Sequence, residues 1–97
     1  MILFGNINKG LKEYSATPGA ILVDVREPDG FAAGHIPGAV NAPLSTISQT
    51  VLPKDAPLFL YCLRGSRCKR AAKILKQMGY TVKSTGGISG YKREVER

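Results

Sequence analysis

The chain is poor in the residues that usually cross-link a small protein or bind a metal. It has two cysteines, one histidine and no tryptophan among 97 residues. Two cysteines are too few for the disulfide framework of a small secreted domain. The single histidine, His35, lies far from both cysteines in the sequence, so the composition does not favour a zinc site.

Long apolar segments are also missing. No run of about 18 apolar residues occurs, so we expect no membrane-spanning helix. The N-terminal stretch MILFGNINKGLKEYS is a poor signal peptide, because its apolar part is short and no basic residue precedes it. These absences predict a cytoplasmic protein that does not associate with membranes. The length favours a single domain over residues 1–97, and we expect a monomer.

Acidic residues are scarce relative to basic ones. The chain has 14 Lys and Arg against 7 Asp and Glu, which gives a formal net charge of +7. This excess favours anionic partners such as nucleic acid, acidic proteins or small anions. A solvated surface that is basic for no functional reason explains the same charge.

Short β-branched and apolar runs predict three strands. AILVDV (residues 20–25) and LFLYC (residues 58–62) resemble buried parallel strands, and Pro57 and Gly65 flank the second run. YTVKS (residues 80–84) is a weaker third candidate. The polar residues Asp24 and Arg26 follow the first run, at the end of its strand.

Helical spacing appears between these strands. The clearest helix covers Ser66 to Met78, with an apolar stripe and a glycine, Gly79, at its C-terminal cap; the stripe comprises Ala71, Ile74, Leu75 and Met78. A first helix is indicated by the spacing of Ile7, Leu11 and Tyr14, although Gly10 weakens it, and a short one by residues 44–51. The alternation predicts an α/β fold whose mainly parallel central sheet has helices on both faces.

The segment YCLRGSRCKR (residues 61–70) places Cys62 where a strand ends and a helix is about to begin. Backbone N–H groups of such a loop, together with the N-terminus of the helix, favour a thiolate. The pKa of a free cysteine is about 8.5, and this setting lowers it. Gly65 allows a tight loop, and Arg64 and Arg67 add positive charge. A small buried core cysteine is the competing interpretation of Cys62.

Four segments together resemble the rhodanese family of sulfurtransferases. They are LVDVREPDGFAAGHIPGAVNAPL, LFLYCLRGSRCKRAAKILKQMGY, the VKSTGG step and GGISGYK, and they cover roughly residues 20–92. GHIPGAVN and the Cys-x-x-Gly-x-Arg loop are specific when they occur together. The resemblance implies a rhodanese-like fold over a single domain.

The resemblance also implies a mechanism with no metal and no organic cofactor. Cys62 would take sulfur from a small anionic donor such as thiosulfate, hold it as a persulfide, and pass it to cyanide or a thiol. The loop residues Leu63, Arg64, Gly65, Ser66 and Arg67 would bind the substrate and the persulfide. Asp24 and Arg26 would brace that loop, and His35 would fix its own turn by hydrogen bonds.

Loop length argues against the phosphatases and arsenate reductases of similar fold. Those enzymes have five residues between cysteine and arginine, whereas only four separate Cys62 from Arg67 here. Cys68 occupies the position that would need arginine. Cys68 itself is interpreted either as a small helix residue packed inward or as a resolving thiol for Cys62.

Two positions depart from the family pattern. Gly30 stands where the family commonly has glutamate, and we expect this to remove a brace near Arg26 or to loosen the short helix there. Tyr91 stands where the family has tryptophan, and we expect it to pack similarly.

Two functions other than thiosulfate sulfurtransferase stay open. In the first, a sulfur carrier that turns over thiosulfate poorly docks an acidic protein on its basic helix face, which comprises Arg64, Arg67, Lys69, Arg70, Lys73 and Lys76. In the second, this face binds RNA, but nucleic acid is disfavoured because no aromatic residues interleave the charges.

Overall fold

The structure is a computed structural model that describes residues 7–97. The predicted domain boundaries and the signal-peptide argument include residues 1–6, which lie outside the described part. The elements in chain order are α1 (Ile7–Ser15), β1 (Ile21–Asp24), α2 (Pro28–Ala33), β2 (Val40–Asn41), a 3₁₀ helix (Leu44–Gln49), β3 (Leu58–Cys62), α3 (Ser66–Gln77), β4 (Val82–Gly87) and a second 3₁₀ helix (Ile88–Gly90).

The four strands form one parallel sheet in the order β2-β1-β3-β4. Side chains of β1 and β3 alternate between the two faces, as strand geometry requires. Leu22, Phe59 and Tyr61 join the core under α1, whereas Val23 and Leu60 join the core under α3. The predicted α/β fold with helices on both faces is therefore confirmed.

The weak third strand begins two residues later and ends three residues later than its sequence pattern indicated. β4 begins at Val82 and ends at Gly87, because a bulge lets the pairing continue. Leu60 pairs with Ser84 and the next residue, Tyr61, pairs with Gly86, so Thr85 is the extra residue. The buried Thr85 hydroxyl donates to the Leu60 carbonyl at 2.8 Å, which satisfies it inside the core. The two-residue β2 was not predicted, since it is too short to show a period.

Gly10 has a packing role in α1. A Cβ placed on Gly10 would lie 2.5 Å from the Cβ of Thr85, so α1 contacts β4 with no room for a side chain. The glycine that weakened the helix prediction is therefore the point at which the helix approaches the sheet.

The predicted helix after Cys62 is confirmed as α3. Cys68, Ala71, Ala72 and Leu75 are its buried residues, and Gly79 follows with a φ of 100°, as a C-terminal cap requires. The helix expected over residues 44–51 is instead a 3₁₀ helix ending at Gln49. Its backbone departs from helical angles at Thr46 (φ −125°, ψ 23°).

Candidate active site

The carboxyl ends of β1 and β3 meet at one edge of the sheet. Asp24 pairs with Tyr61, so Asp24 and the next residue of β3, Cys62, lie at the same edge. Open parallel sheets bind their ligands at this edge. The fold thus brings the predicted nucleophile and the predicted supporting pair Asp24 and Arg26 into one region.

The loop after β3 closes around the Cys62 sulfur. Gly65, with a φ of 92°, turns its N–H toward that sulfur, and the N–Sγ distance is 2.9 Å. The backbone N–H groups of Arg67 and Cys68, in the first turn of α3, also contribute to lowering the pKa of Cys62. The sulfur therefore lies in a nest of backbone donors at a helix N-terminus, which stabilises negative charge. Cys62 itself is only 1% exposed.

These contacts lower the pKa of Cys62 to about 6. The largest cause is a hydrogen bond from the side chain of Cys68; burial opposes it, and the three backbone N–H groups add to it. The same hydrogen bond and burial raise the pKa of Cys68 far above its ordinary value. At neutral pH Cys62 is therefore a thiolate and Cys68 is a thiol.

An open pocket of about 600 Å³ lies over this loop. Its walls are formed by Arg26, Glu27, Asp29, Gly30, Ala33, Cys62, Leu63, Arg64, Ser66 and Arg67. Four of the five predicted substrate-binding residues line it, and the fifth, Gly65, faces the sulfur instead. The side chains of Arg64 and Arg67 are exposed, so this wall offers cationic groups to a small anion.

Asp24 and Arg26 form an ion pair in which the carboxylate is fully buried and the arginine is partly buried. The carboxylate of Asp24 is 0% exposed and lies 2.7 Å from Nη2 of Arg26, which also donates to the Gly34 carbonyl at 2.7 Å. Backbone N–H of Arg26 donates to the same carboxylate. The side-chain hydrogen bonds of this pair run between the two residues and to the Gly34 carbonyl, while both backbone carbonyls accept from the side-chain amide of Asn41 at 2.9 Å. The pair therefore supports the pocket wall and the turn after α2, whereas the resemblance implied a brace on the loop itself.

His35 lies in a network of structural contacts. Its Nδ1 is 2.9 Å from the Phe31 carbonyl, and its ring stacks on Phe31 with centroids 3.7 Å apart. Its backbone forms an antiparallel bridge with Glu96. These contacts fix the turn, as the resemblance implied.

The two departures from the family pattern have local effects. A Cβ on Gly30 would lie 3.5 Å from the Cβ of Arg26, so a longer side chain here would reach the ion pair. Tyr91 packs against the core under α1, and its hydroxyl donates to the Glu94 carbonyl at 2.9 Å.

Sequence reasoning gave no role to three residues that shape this edge. Gly87 lies against the backbone of the loop that begins at Leu63. Glu27 lines the pocket, and its carboxylate accepts hydrogen bonds from the backbone N–H and the hydroxyl of Ser45. Tyr61 is fully buried, and its hydroxyl accepts the N–H of Ile36 at 3.0 Å. In the sequence, only the glycine pair of the VKSTGG segment could have indicated one of these residues, Gly87.

Residues 7–97 contain neither a metal-ligand cluster nor a membrane-spanning helix. No three His, Cys, Asp or Glu side chains are grouped so that they could hold a metal ion. None of the helices in this part of the chain is long and apolar enough to cross a membrane.

Comparison with known proteins gives consistent matches. The sequence model of the rhodanese-like domain family matches residues 8–94. YqhL of Bacillus subtilis is 47% identical over 64 residues, which cover 64% of this chain and 51% of YqhL, so the chain spans about half of that relative. The thiosulfate sulfurtransferase PspE of Escherichia coli is 37% identical over 71 residues, which cover 68% of each protein.

Solved structures agree with the sequence matches. The human single-domain sulfurtransferase TSTD1 superimposes with a TM-score of 0.73 at 28% identity, covering 86% of this chain and 89% of that one. A rhodanese with anions from E. coli superimposes with a TM-score of 0.69 at 29% identity, covering 80% and 98%.

Proposed function

This chain belongs to the rhodanese-like domain family, which includes sulfurtransferases, and we propose that it moves sulfane sulfur through a persulfide on Cys62. The observation that carries the proposal is the sulfur of Cys62, which accepts the Gly65 N–H at 2.9 Å and has a pKa of about 6. A thiolate at neutral pH needs no separate general base.

In the first half-reaction, the Cys62 thiolate attacks the outer sulfur of thiosulfate. A bond forms between the two sulfurs, the bond within thiosulfate breaks, and its electron pair leaves with sulfite. The backbone donors of the loop hold the resulting persulfide anion. In the second half-reaction, cyanide or a thiol attacks the outer sulfur and takes it away, and the electron pair of the broken bond returns to Cys62 as thiolate.

Arg64 and Arg67 support the choice of an anionic donor. Both are exposed on the pocket wall, and thiosulfate is a dianion that guanidinium groups can pair with. The solved rhodanese of E. coli, which is described with anions, is a related case. We propose thiosulfate as the laboratory donor and a persulfide as an alternative donor in a cytoplasmic setting.

The second candidate function is a sulfur carrier that docks an acidic protein. The exposed residues Arg70, Lys73 and Lys76 lie on α3, which begins at the pocket, so an acidic acceptor could bind beside Cys62. In this function Cys62 still forms a persulfide, but its outer sulfur passes to a protein acceptor. Thiosulfate is then turned over slowly.

Intact mass after exposure to thiosulfate tests the proposed function. The reduced protein is incubated with thiosulfate, freed of excess reagent and weighed, beside Cys62→Ser and Cys68→Ser variants. We expect a gain of one sulfur atom in the wild type that cyanide reverses and that only Cys62→Ser abolishes. No gain in the wild type would contradict thiosulfate as donor, and a gain from a protein persulfide alone would favour the carrier.

A further inference from the structure

The guanidinium group of Arg26 keeps N–H donors that its ion pair does not use. Its Nε donates to both carboxylate oxygens of Asp24 at 3.1 Å, and its Nη2 donates to Oδ2 of Asp24 and to the Gly34 carbonyl, each at 2.7 Å. A guanidinium has one N–H on Nε and two on each Nη nitrogen. No hydrogen bond of Arg26 within residues 7–97 involves Nη1, so both donors of Nη1 stay available to a ligand.

Gly30 leaves space beside Nη1. A Cβ placed on Gly30 would lie 4.0 Å from Nη1 and 3.5 Å from the Cβ of Arg26. Arg26 and Gly30 both line the open pocket that contains Cys62, and the Arg26 side chain is 13% exposed. A glutamate or a glutamine in place of Gly30 would reach Nη1 and accept its hydrogens. The absence of a side chain at Gly30 therefore leaves Nη1 accessible to a molecule in the pocket.

Arg26 is held in place more firmly than the other two arginines of the pocket. Arg64 and Arg67 are exposed, whereas the guanidinium of Arg26 is fixed by its hydrogen bonds and lies over the ring of Tyr61, with Cζ 5.9 Å from the ring centroid. Binding to a side chain that is already fixed loses less conformational entropy. Because Asp24 balances the charge of Arg26, Arg64 and Arg67 supply the net attraction for an anion. Nη1 instead orients the anion through directional hydrogen bonds.

Two carboxylates line the same pocket, and neither of them pairs with Nη1. Glu27 accepts hydrogen bonds from the backbone N–H of Ser45 at 3.2 Å and from its hydroxyl at 2.6 Å. Asp29 is exposed, and the ion pairs formed among residues 7–97 do not include it. The acceptor for Nη1 is therefore water or an anion that enters the pocket.

We propose that Nη1 of Arg26 is an oxyanion contact, which donates to a sulfonate oxygen of the sulfur donor and directs the outer sulfur of that donor toward Cys62. The inference rests on the proposed function only in naming thiosulfate as the donor, because any small tetrahedral oxyanion can accept from Nη1. It gives Arg26 a substrate-binding role in addition to its pair with Asp24. The donors that this contact selects have an oxyanion group on the atom that carries the transferred sulfur.

Binding of sulfate tests the contact without any transfer of sulfur. Sulfate has an oxygen in place of the outer sulfur of thiosulfate, so it offers the same oxyanion and no sulfur that can be transferred. It is titrated into the reduced protein at constant ionic strength, while NMR signals of the backbone amides and of the Arg26 guanidinium are followed. The wild type is compared with Gly30→Glu and Gly30→Gln, whose side chains compete for Nη1. Ala32→Glu is the matched control, because Ala32 is exposed on α2 and lies outside the pocket lining.

We expect sulfate to shift the Nη1 signals of Arg26 in the wild type and to bind about tenfold more weakly to Gly30→Glu, the size expected for a lost hydrogen bond to an ion. Gly30→Gln should also bind sulfate more weakly, and Ala32→Glu should bind it nearly as the wild type does, because salt screens an exposed charge. Nη1 signals that sulfate leaves unchanged in the wild type would overturn the inference, whether or not a variant folds. Equal losses of affinity in Gly30→Glu and Ala32→Glu would also overturn it, because net charge would then explain both.

Sulfur loading from thiosulfate distinguishes this inference from the proposed function. We expect Gly30→Glu to load sulfur with an efficiency about tenfold lower than that of the wild type at low thiosulfate, and Ala32→Glu to load it nearly as the wild type does. If sulfate contacts Nη1 but the wild type takes no sulfur from thiosulfate, the proposed function fails and the oxyanion contact stands. If Gly30→Glu loads sulfur as efficiently as the wild type, the contact is wrong and the proposed function stands.

Discussion

Arg64 lies directly over Gly87 of β4. A Cβ placed on Gly87 would come within 2.6 Å of the Arg64 Cα and 2.5 Å of the Leu63 carbonyl oxygen. The loop that surrounds the Cys62 sulfur therefore rests on the end of the neighbouring strand. The bulge at Thr85 extends β4 far enough to provide this support.

Gly87→Ala should displace the loop from the sheet. We expect a loss of about 1–3 kcal/mol in the free energy of unfolding, typical of overpacking, and slower sulfur loading per folded molecule. Gly10→Ala is the matched control. Its Cβ would lie 2.5 Å from the Cβ of Thr85, where α1 meets the sheet and not at the loop. Urea unfolding and intact mass measure both effects. Loading at the wild-type rate in Gly87→Ala would contradict the supporting role.

Gly65→Ala should separate backbone strain from catalysis. Gly65 has a φ of 92°, and a Cβ there would make ordinary contacts, the nearest at 3.7 Å. Gly38, with a φ of 88° and no atom within 4 Å of its Cβ position, is the control. Each alanine should cost about 1–2 kcal/mol of stability. Only Gly65→Ala should raise the pKa of Cys62, because relief of the positive φ would turn the backbone N–H of residue 65 away from the sulfur; equal pH profiles of Cys62 alkylation would argue otherwise.

Sulfur loading should depend on the ionisation of Cys62. The rate should be half-maximal near pH 6 and fall about tenfold per unit below it, as the thiolate is protonated. Stopped-flow release of sulfite, measured at constant ionic strength, tests this. A midpoint near the ordinary thiol value of about 8.5 would contradict the role of the loop.

The same ionisation should change stability with pH. Between about 6 and the ordinary value of about 8.5, the unfolded chain keeps a proton on Cys62 that the folded chain has released. The stabilisation from Cys62 is therefore greatest above that window and disappears as the pH falls through about 6. Urea unfolding of the wild type should show this rise with pH, and Cys62→Ser should lack it.

Arg64→Ala and Arg67→Ala should weaken the capture of thiosulfate. Each removes one cation from the pocket wall, so we expect roughly a tenfold loss in loading efficiency at low salt. Arg70→Ala changes the net charge equally but lies on exposed α3 outside the pocket lining, so it should load nearly as the wild type does. If all three variants lose efficiency alike, net charge and not the pocket wall attracts the donor.

Asp24→Asn should destabilise the protein strongly. The buried carboxylate pairs with Arg26, and removal of one partner of a buried ion pair costs about 3–5 kcal/mol. Glu13→Gln is the control, because the Glu13–Lys83 pair at 3.1 Å is exposed and worth about 0.2–1 kcal/mol. Urea unfolding at pH 7 distinguishes them, and similar losses would contradict a structural role for the buried pair.

Several elements could be predicted because their patterns are local. β3 is a continuous apolar run, and α3 shows helical spacing with Gly79 as its cap, so both followed directly from the sequence. β2 and the bulge at Thr85 could not be predicted, because each is defined by pairing with a distant strand. The helix predicted from Ile7, Leu11 and Tyr14 is present as α1, but the reason for Gly10 within it could not be predicted, because Thr85 lies on another element.

The sequence by itself determined the α/β order, the position of Cys62 at a strand end, and the loop of four residues before Arg67. These depend on hydrophobic period and on spacing along the chain. Tertiary structure alone decided that the Gly65 N–H donates to the Cys62 sulfur, that Asp24 pairs with Arg26, which also donates to Gly34, and that Gly87 supports the loop. Such contacts depend on distances between elements that folding brings together, and no local pattern encodes them.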